Sequence, residues 1–198
     1  MEFCFSELIA IFACDDGIGD SKGVAIADSD VYMTVRDDGI IVDKDSSTSS
    51  GIDFTNSNIT IISDGEAIEI TGEENVISTV TNCDVLLKSF TKKGIEILDE
   101  TDHSDENDIL NVTDSKLIII SDDEPIECGT VILDNVLFDL HNTDGGDRAV
   151  EVDNEDFKFP GTFRLYDKKG KVIYEGQWDE SLLNEYNNLH VGGVKVTR

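Results

Sequence analysis

Four glutamates hold the places in this sequence best suited to chemistry. Glu69, Glu96, Glu127 and Glu151 each sit between two apolar residues, in Ile68-Glu69-Ile70, Ile95-Glu96-Ile97, Ile126-Glu127-Cys128 and Val150-Glu151-Val152. Ile41 has the corresponding place earlier, in Ile40-Ile41-Val42. If these runs are parallel strands in register, the four carboxylates stack about 4.8 Å apart on one face. Each neighbouring pair then repels by roughly 0.9 kcal/mol in water before salt screening. Such a column is tolerated when solvated and is stabilised when hard cations such as calcium bridge the carboxylates. A solvated acidic face and a calcium-bridged one both fit the spacing.

The turns ahead of these runs are acidic too: Asp15/Asp16, Asp37/Asp38, Gly65/Glu66 and Asp123/Glu124, with Lys92/Lys93 interrupting the column and expected to neutralise it locally. The segment Asp99, Asp102, Asp105, Asp108 places Asp at every third position and lacks the alternate ligands and central Gly of an EF-hand. Asp43-Lys44-Asp45-Ser46-Ser47 begins like one and then departs from it. A second outward column reads Tyr32, Thr60, Leu86, Ile118 and Asp139. Its Leu and Ile form an apolar patch to be covered by a loop, a cap or a partner, or used as a ligand surface with Tyr32 and Thr60 as binding residues.

The elements that must position these residues follow from a repeat. In Gly51–Ile70, inward residues alternate at Ile52/Phe54, Ile59/Ile61 and Ile68/Ile70, separated by Asn, Ser, Asp and Gly. The middle pair recurs as Ile9/Ile11, Val31/Met33, Val85/Leu87, Leu117/Ile119 and Phe138/Leu140, and the last begins at Ile18, Ile40, Ile95, Ile126 and Val150. The step from middle pair to last pair is nine residues in four of the six cases. A preceding pair appears as Val24/Ile26, Ser78/Val80, Leu110/Val112 and Val131/Leu133. Short strands of period two, recurring near every 25 residues, are the signature of an all-β parallel β-solenoid, here of about six to seven coils. An antiparallel sandwich would need a hairpin turn between each strand pair, and Asn-Gly turns are absent.

The first coil is expected over residues 1–22, with Cys4 aligned on Ile26, as part of a chain cut at its N-terminus whose end would stack on further solenoid coils. The apolar Phe3–Cys14 run resembles a leader, but it lacks a basic flank and contains Glu7. A last, weaker coil reads Phe157/Phe159, Phe163/Leu165 and Val172/Tyr174. The solenoid is thus expected over 1–176 and a cap over 177–198, with an amphipathic helix at 179–189 and a strand around Val194-Lys195-Val196 covering the open end. Trp178 is expected in the core of that cap.

Composition limits function. Forty-three acidic residues against 15 basic give a net charge of -28, which repels nucleic acid and anionic membranes and favours divalent cations or cationic surfaces. No run is long enough to span a bilayer. Cys4, Cys14, Cys83 and Cys128 lack zinc-ligand spacing and read as core or near-core thiols.

Short Thr/Ser/Asn-rich strands closing on Asp37-Asp38-Gly39-Ile40, Asp64-Gly65-Glu66-Ala67-Ile68 and Lys93-Gly94-Ile95 resemble the secreted β-helix carbohydrate-binding domains of cellulolytic clostridia over roughly residues 4–156. The resemblance implies a right-handed parallel β-helix that binds acidic plant polysaccharide, with calcium on Asp37, Asp38, Asp64 and Glu66. Lys92-Lys93 and Pro125 depart from its pattern. It also implies an extracellular or cell-surface location. Asn142-Thr143-Asp144-Gly145 resembles a segment of the polygalacturonases, but the later Asp-Asp, Gly-His-Gly and Arg-x-Lys elements do not follow in order, so a pectin-degrading enzyme is the lesser expectation. The sequence therefore predicts a non-catalytic polysaccharide-binding or surface-interaction solenoid. A structural or adhesive segment of a larger repeat protein is the alternative.

Overall fold

The computed structural model describes residues 2–4, 8–43, 50–72, 76–99, 108–143, 151–152, 162–166, 171–177 and 193–197. These form six successive coils of three strands each. The first coil is β1 (Glu2–Cys4), β2 (Leu8–Phe12) and β3 (Ile18–Asp20), and the second β4 (Val24–Ala27), β5 (Asp30–Thr34) and β6 (Ile40–Asp43). The third is β7 (Ser50–Thr55), β8 (Asn58–Ser63) and β9 (Ile68–Gly72), and the fourth β10 (Ile77–Thr81), β11 (Asp84–Ser89) and β12 (Ile95–Asp99). The fifth is β13 (Ile109–Thr113), β14 (Lys116–Ser121) and β15 (Ile126–Cys128), and the sixth β16 (Thr130–Asp134), β17 (Leu137–Asn142) and β18 (Glu151–Val152). First strands stack on first strands to give sheet A, second on second to give sheet B, third on third to give sheet C, and every pairing within the coils is parallel. The expected parallel β-solenoid is the observed fold.

Period-two alternation explains the packing. Along β8, β9 and β14 buried residues alternate with partly exposed or exposed ones. The register stacks Ile18, Ile40, Ile68, Ile95 and Ile126 in one column and Met33, Ile61, Leu87, Ile119 and Leu140 in another. Each of these side chains is buried. β-Branched residues suit this stacking because their fixed χ1 presents the same shape in every coil. No coil could bury its inner face without its neighbours.

Two turn columns close each coil. Between sheets A and B, Asp28, Asn56, Asn82, Asp114 and Asn135 all adopt left-handed backbone with φ of 50–54°. Asn and Asp enter this region more readily than other residues with a Cβ. Between sheets B and C, Gly17, Gly39, Ala67, Gly94 and Pro125 occupy one column of backbone hydrogen bonds. A Cβ on Gly39 would lie 2.4 Å from Ile61 Cγ2 and 2.5 Å from the Ala67 carbonyl oxygen. The column therefore admits only small or compact residues.

The end of the chain departs from expectation. Phe163/Leu165 and Val172/Tyr174 do not make another coil. They belong to β19 (Thr162–Tyr166) and β20 (Val172–Gln177), which pair antiparallel with each other. The expected terminal strand is β21 (Gly193–Thr197), which inserts antiparallel between β17 and β19 and extends sheet B. Phe157, Phe159, Trp178, the helix expected at 179–189 and residues 100–107 lie outside the described residues.

The N-terminal coil is present in the expected place but with a one-residue correction. Ile9 and Ile11 stack on Val31 and Met33 as anticipated, whereas Phe3, not Cys4, pairs with Ile26, and Cys4 pairs with Ala27. Counting without a gap missed an extra residue between β1 and β2. A similar irregularity joins β7 to β10, where Ile77 pairs with Ser50 but Thr79 with Asp53. Buried Ser78 serves this bulge, its hydroxyl accepting the Ile52 N–H at 3.3 Å. A Cβ on Gly51 would stand 2.2 Å from that hydroxyl, so the bulge requires glycine. Of the cysteines, Cys83 and Cys128 are buried, but Cys14 is exposed rather than near the core.

Candidate functional site

On sheet C the glutamates stack as their spacing predicts. Ile41 pairs with Glu69, Glu69 with Glu96, Glu96 with Glu127 and Glu127 with Glu151. Two of these rungs are bridged by the protein's own cation: Lys93 Nζ contacts both Glu96 Oε1 and Glu127 Oε2. Burial works against a charged Lys93, but its hydrogen bonds to Glu127 and Glu96 outweigh that and raise its pKa above the ordinary lysine value. One oxygen of each of Glu96 and Glu127 is thus engaged by a cation of the chain itself. The side chain of Glu151 lies outside what is described.

The carboxylates without such a bridge gather one coil earlier. Asp38, Glu66 and Glu69 bring carboxylate oxygens within 4.8 Å of one another, with Asp38 and Glu66 buried and Glu69 partly so. Asp38 and Glu66 stand in the same turn column, and Asp38 Oδ1 accepts the Glu66 N–H at 2.7 Å. Gly65 permits this approach, because a Cβ there would fall 2.1 Å from Asp38 Oδ1. Lys92 Nζ lies 2.8 Å from Glu66 Oε2, and that hydrogen bond raises the lysine pKa. Burial, reinforced by the hydrogen bond to and charge of Glu66, pushes the Asp38 carboxyl up to about 7. Burial, with Glu66 and Glu96 nearby, raises Glu69 as well.

Three carboxylates at this spacing form an oxygen set that fits a hard divalent cation, which would compete with a proton and with Lys92. A sugar has little access to two of them, since Asp38 is 7% and Glu66 5% exposed. Asp37 joins Asp15 and Asp16 in a separate, exposed acidic group. Asp64 is exposed and belongs to neither group.

The outer face of sheet B carries the other expected site. Tyr32 pairs in register with Thr60, Thr60 with Leu86, and Leu86 with Ile118. Tyr32 and Leu86 are each 37% exposed, and Phe12 is 73% exposed. The Phe12 and Tyr32 ring centroids are 6.0 Å apart and tilted by 53°. Thr34 Oγ1 donates to Tyr32 Oη at 3.3 Å, fixing the phenol over its strand. Leu86 is exposed and Ile118 partly so, with an aromatic pair at the first two coils. Asn142 and Thr143, from the segment resembling polygalacturonases, close the end of β17: Asn142 is buried and Thr143 Oγ1 donates to the Ser121 carbonyl oxygen at 3.0 Å.

A third arrangement escaped sequence reasoning. At the corner between sheets A and B, Asn56 Nδ2 donates to Asp28 Oδ1 at 3.1 Å and Asn82 Nδ2 to Asn56 Oδ1 at 2.9 Å. Beside them, Ser29 N–H donates to Ser57 Oγ, Ser57 N–H to Cys83 Sγ and Cys83 N–H to Ser115 Oγ. Each of these side chains also donates back to the carbonyl two residues earlier. In sequence the column reads Asp28-Ser29-Asp30, Asn56-Ser57-Asn58, Asn82-Cys83-Asp84 and Asp114-Ser115-Lys116, which resembles ordinary polar turns until the coils are stacked.

Comparison with known proteins adds no identification: no family model, no curated protein and no solved structure matches the chain.

Proposed function

We propose that this chain is a non-catalytic binding solenoid whose working surface is the outer face of sheet B and whose ligand is a polysaccharide. The observation that carries the reading is the exposed Phe12–Tyr32 pair, with Tyr32 in register with Thr60 on the outer face of the sheet. A tyrosine presents an apolar ring and a polar hydroxyl together, which suits the mixed C–H and O–H surface of a sugar. The net charge of -28 favours an uncharged polymer over the acidic one that family resemblance implies. Calcium, in this reading, belongs at Asp38, Glu66 and Glu69, where it would fix the turn below the binding face and supply no chemistry to the ligand. Such a module would act outside the cell or on its surface. The limited exposure of Asp38 and Glu66 argues against their use as a glycosidase acid and base.

The experiment is retention of the protein on immobilised neutral and acidic polysaccharides, with and without millimolar calcium, for wild type and Tyr32→Ala. Retention on a neutral glycan that Tyr32→Ala weakens supports the reading. No retention on any glycan overturns it and favours the second reading, a structural segment without a small ligand. The internal neutralisation of the glutamate ladder by Lys93 is the feature that favours that alternative.

A further inference from the structure

The corner between sheets A and B contains a break in its hydrogen-bond relay, and a groove opens at the break. In the first column, each amide donates to the coil before it: Asn56 to Asp28, Asn82 to Asn56, and Asn135 to Asp114. The chain of donors stops between Asn82 and Asp114, because a carboxylate has no proton to give. Asn82 Oδ1 and the Asp114 carboxylate then face each other across one coil step, about 4.8 Å, as two acceptors.

The adjacent column repeats the fault one coil earlier. Asn58 Nδ2 donates to Asp30 Oδ1 at 2.6 Å, but the next residue in register is Asp84, again an acceptor only. Among the described residues, neither the Asp84 carboxylate nor Lys116 Nζ has a hydrogen-bond or ion-pair partner. Asn58, Asn82, Asp84, Asp114, Lys116 and Leu137 line a groove of about 690 Å³, within the range of small-ligand sites. Asn58, Asp84 and Lys116 also lie on the outer face of sheet B, one column away from Thr60, Leu86 and Ile118.

We propose that this groove is a subsite for an uncharged sugar residue, whose hydroxyls donate to the paired acceptors of Asn82/Asp114 and Asn58/Asp84. Hydroxyls are the fitting group because they both donate and accept. They can bridge two facing oxygens, and a ring or hydroxyl oxygen can take a hydrogen bond from Lys116. Lys116 also disfavours a metal ion as the occupant, since it places a positive charge beside the oxygen set. Leu137 gives the groove an apolar wall for the C–H side of the ring. The inference rests on the polysaccharide reading and deepens it, extending the ligand's path from Tyr32 along the axis of the solenoid to the fourth and fifth coils.

The decisive variant is Asp114→Asn. It supplies the missing Nδ2 donor to Asn82 Oδ1, closes the relay and removes the vacancy that the hydroxyl would fill. It is expected to melt at or above the wild-type temperature while losing affinity for the retained neutral glycan by about tenfold or more, measured by calorimetry. Lys116→Ala is expected to weaken binding without altering the melting temperature. If wild type binds a glycan, Tyr32→Ala weakens it and both groove variants bind like wild type, the groove assignment is overturned while the polysaccharide reading stands. If wild type binds no glycan, both fall. If calcium alone binds wild type and Asp114→Asn abolishes that binding, the groove is a cation site and the sugar assignment is overturned.

Discussion

The corner between sheets A and B and the turn between sheets B and C face the same problem and answer it differently. A solenoid places equivalent residues one above another, so a polar residue at one turn meets its own kind at the next. At the A–B corner the amides Asn56 and Asn82 each donate to the coil before and can accept from the coil after, so the run from Asn82 through Asn56 to the Asp28 carboxylate needs no cation between its rungs. At the B–C turn and the neighbouring sheet C ladder the recurring residue is a carboxylate, which only accepts. There the column runs until something supplies a proton or a cation: Lys92 for Glu66, Lys93 for Glu96 and Glu127, and a raised pKa for Asp38. Amides make a self-sufficient ladder, whereas carboxylates make one that depends on what is bound.

The largest test of that contrast is Lys93→Met. It leaves Glu96 and Glu127 stacked with their cation removed, and it should cost about 3 kcal/mol in urea unfolding, as expected for stranding one side of a largely buried pair. Adding Glu96→Gln and Glu127→Gln converts the carboxylate rungs into amides, the A–B solution, and should recover most of the loss. A cost below about 0.5 kcal/mol for Lys93→Met, typical of exposed ion pairs, would show that the ladder does not depend on it.

Acid–base behaviour gives the next effect. Asp38 faces Asp16, Glu66, Glu69 and Lys92, and its carboxyl stays protonated in the folded protein up to about pH 7, whereas the unfolded chain releases that proton near its ordinary value of 3.8. Between those two values the folded state binds the extra proton. Stability should therefore fall as pH rises through this window and level off above about pH 7. The slope is at most about 1.4 kcal/mol per pH unit for one proton, and the upward shift of Glu69 acts in the same direction. Asp38→Asn should flatten the curve. A wild-type curve that rises across the window would show that the acids here are stabilised as carboxylates.

Calcium offers a smaller effect of opposite requirement, because it binds the deprotonated set. At pH 8, millimolar calcium should raise the melting temperature by a few degrees if it binds with a dissociation constant well below that concentration. The increase should shrink at pH 5 and vanish in Asp38→Asn/Glu69→Gln. An equal increase in that double variant would place the cation elsewhere, for which Asp15, Asp16 and Asp37 are the evident group.

Much of the architecture could be read from the chain because burial in a solenoid is periodic twice over, along each strand and from coil to coil. Ile18, Ile40, Ile68, Ile95 and Ile126 could be aligned by eye and stack as aligned. The same counting located the glutamate ladder. It failed where spacing alone carries no information about geometry. The extra residue between β1 and β2 shifted Cys4 off Ile26, and a nine-residue step from Phe163 to Val172 imitated a coil where the chain forms an antiparallel pair instead. The convergence of Asp38, Glu66 and Glu69 needed both the turn column and the ladder at once, and these come from different elements. Lys92 and Lys93 were visible as an interruption, but side-chain reach decided which acids they hold. The relay at the A–B corner depends on left-handed backbone at one residue per coil, and an Asn or Asp there looks in sequence like any polar turn.

The smallest test concerns that corner. Asn56 sits at φ 51°, donates to Asp28 and accepts from Asn82. Asn56→Gly removes both amide hydrogen bonds but keeps the backbone unstrained, and in this exposed position it should cost about 0.5–1 kcal/mol. Asn56→Ala removes the same bonds but keeps a Cβ in the left-handed region, without the local hydrogen bonding that lets asparagine tolerate it, and should be roughly 1 kcal/mol less stable than the glycine variant. The difference between the two variants reports the strain of a Cβ at this backbone position, and the glycine value gives a lower bound on the relay. Asn56→Asp keeps the acceptor for Asn82 but sets a second carboxylate beside Asp28, which turns this corner into a short copy of the acidic turn. If amides are what make the corner self-sufficient, Asn56→Asp should be less stable than wild type at low salt and recover part of the deficit as salt screens the pair. An aspartate as stable as asparagine at low salt would mean that the corner is held by its backbone and the Ser29, Ser57 and Ser115 hydroxyls beside it, with the amide column contributing little.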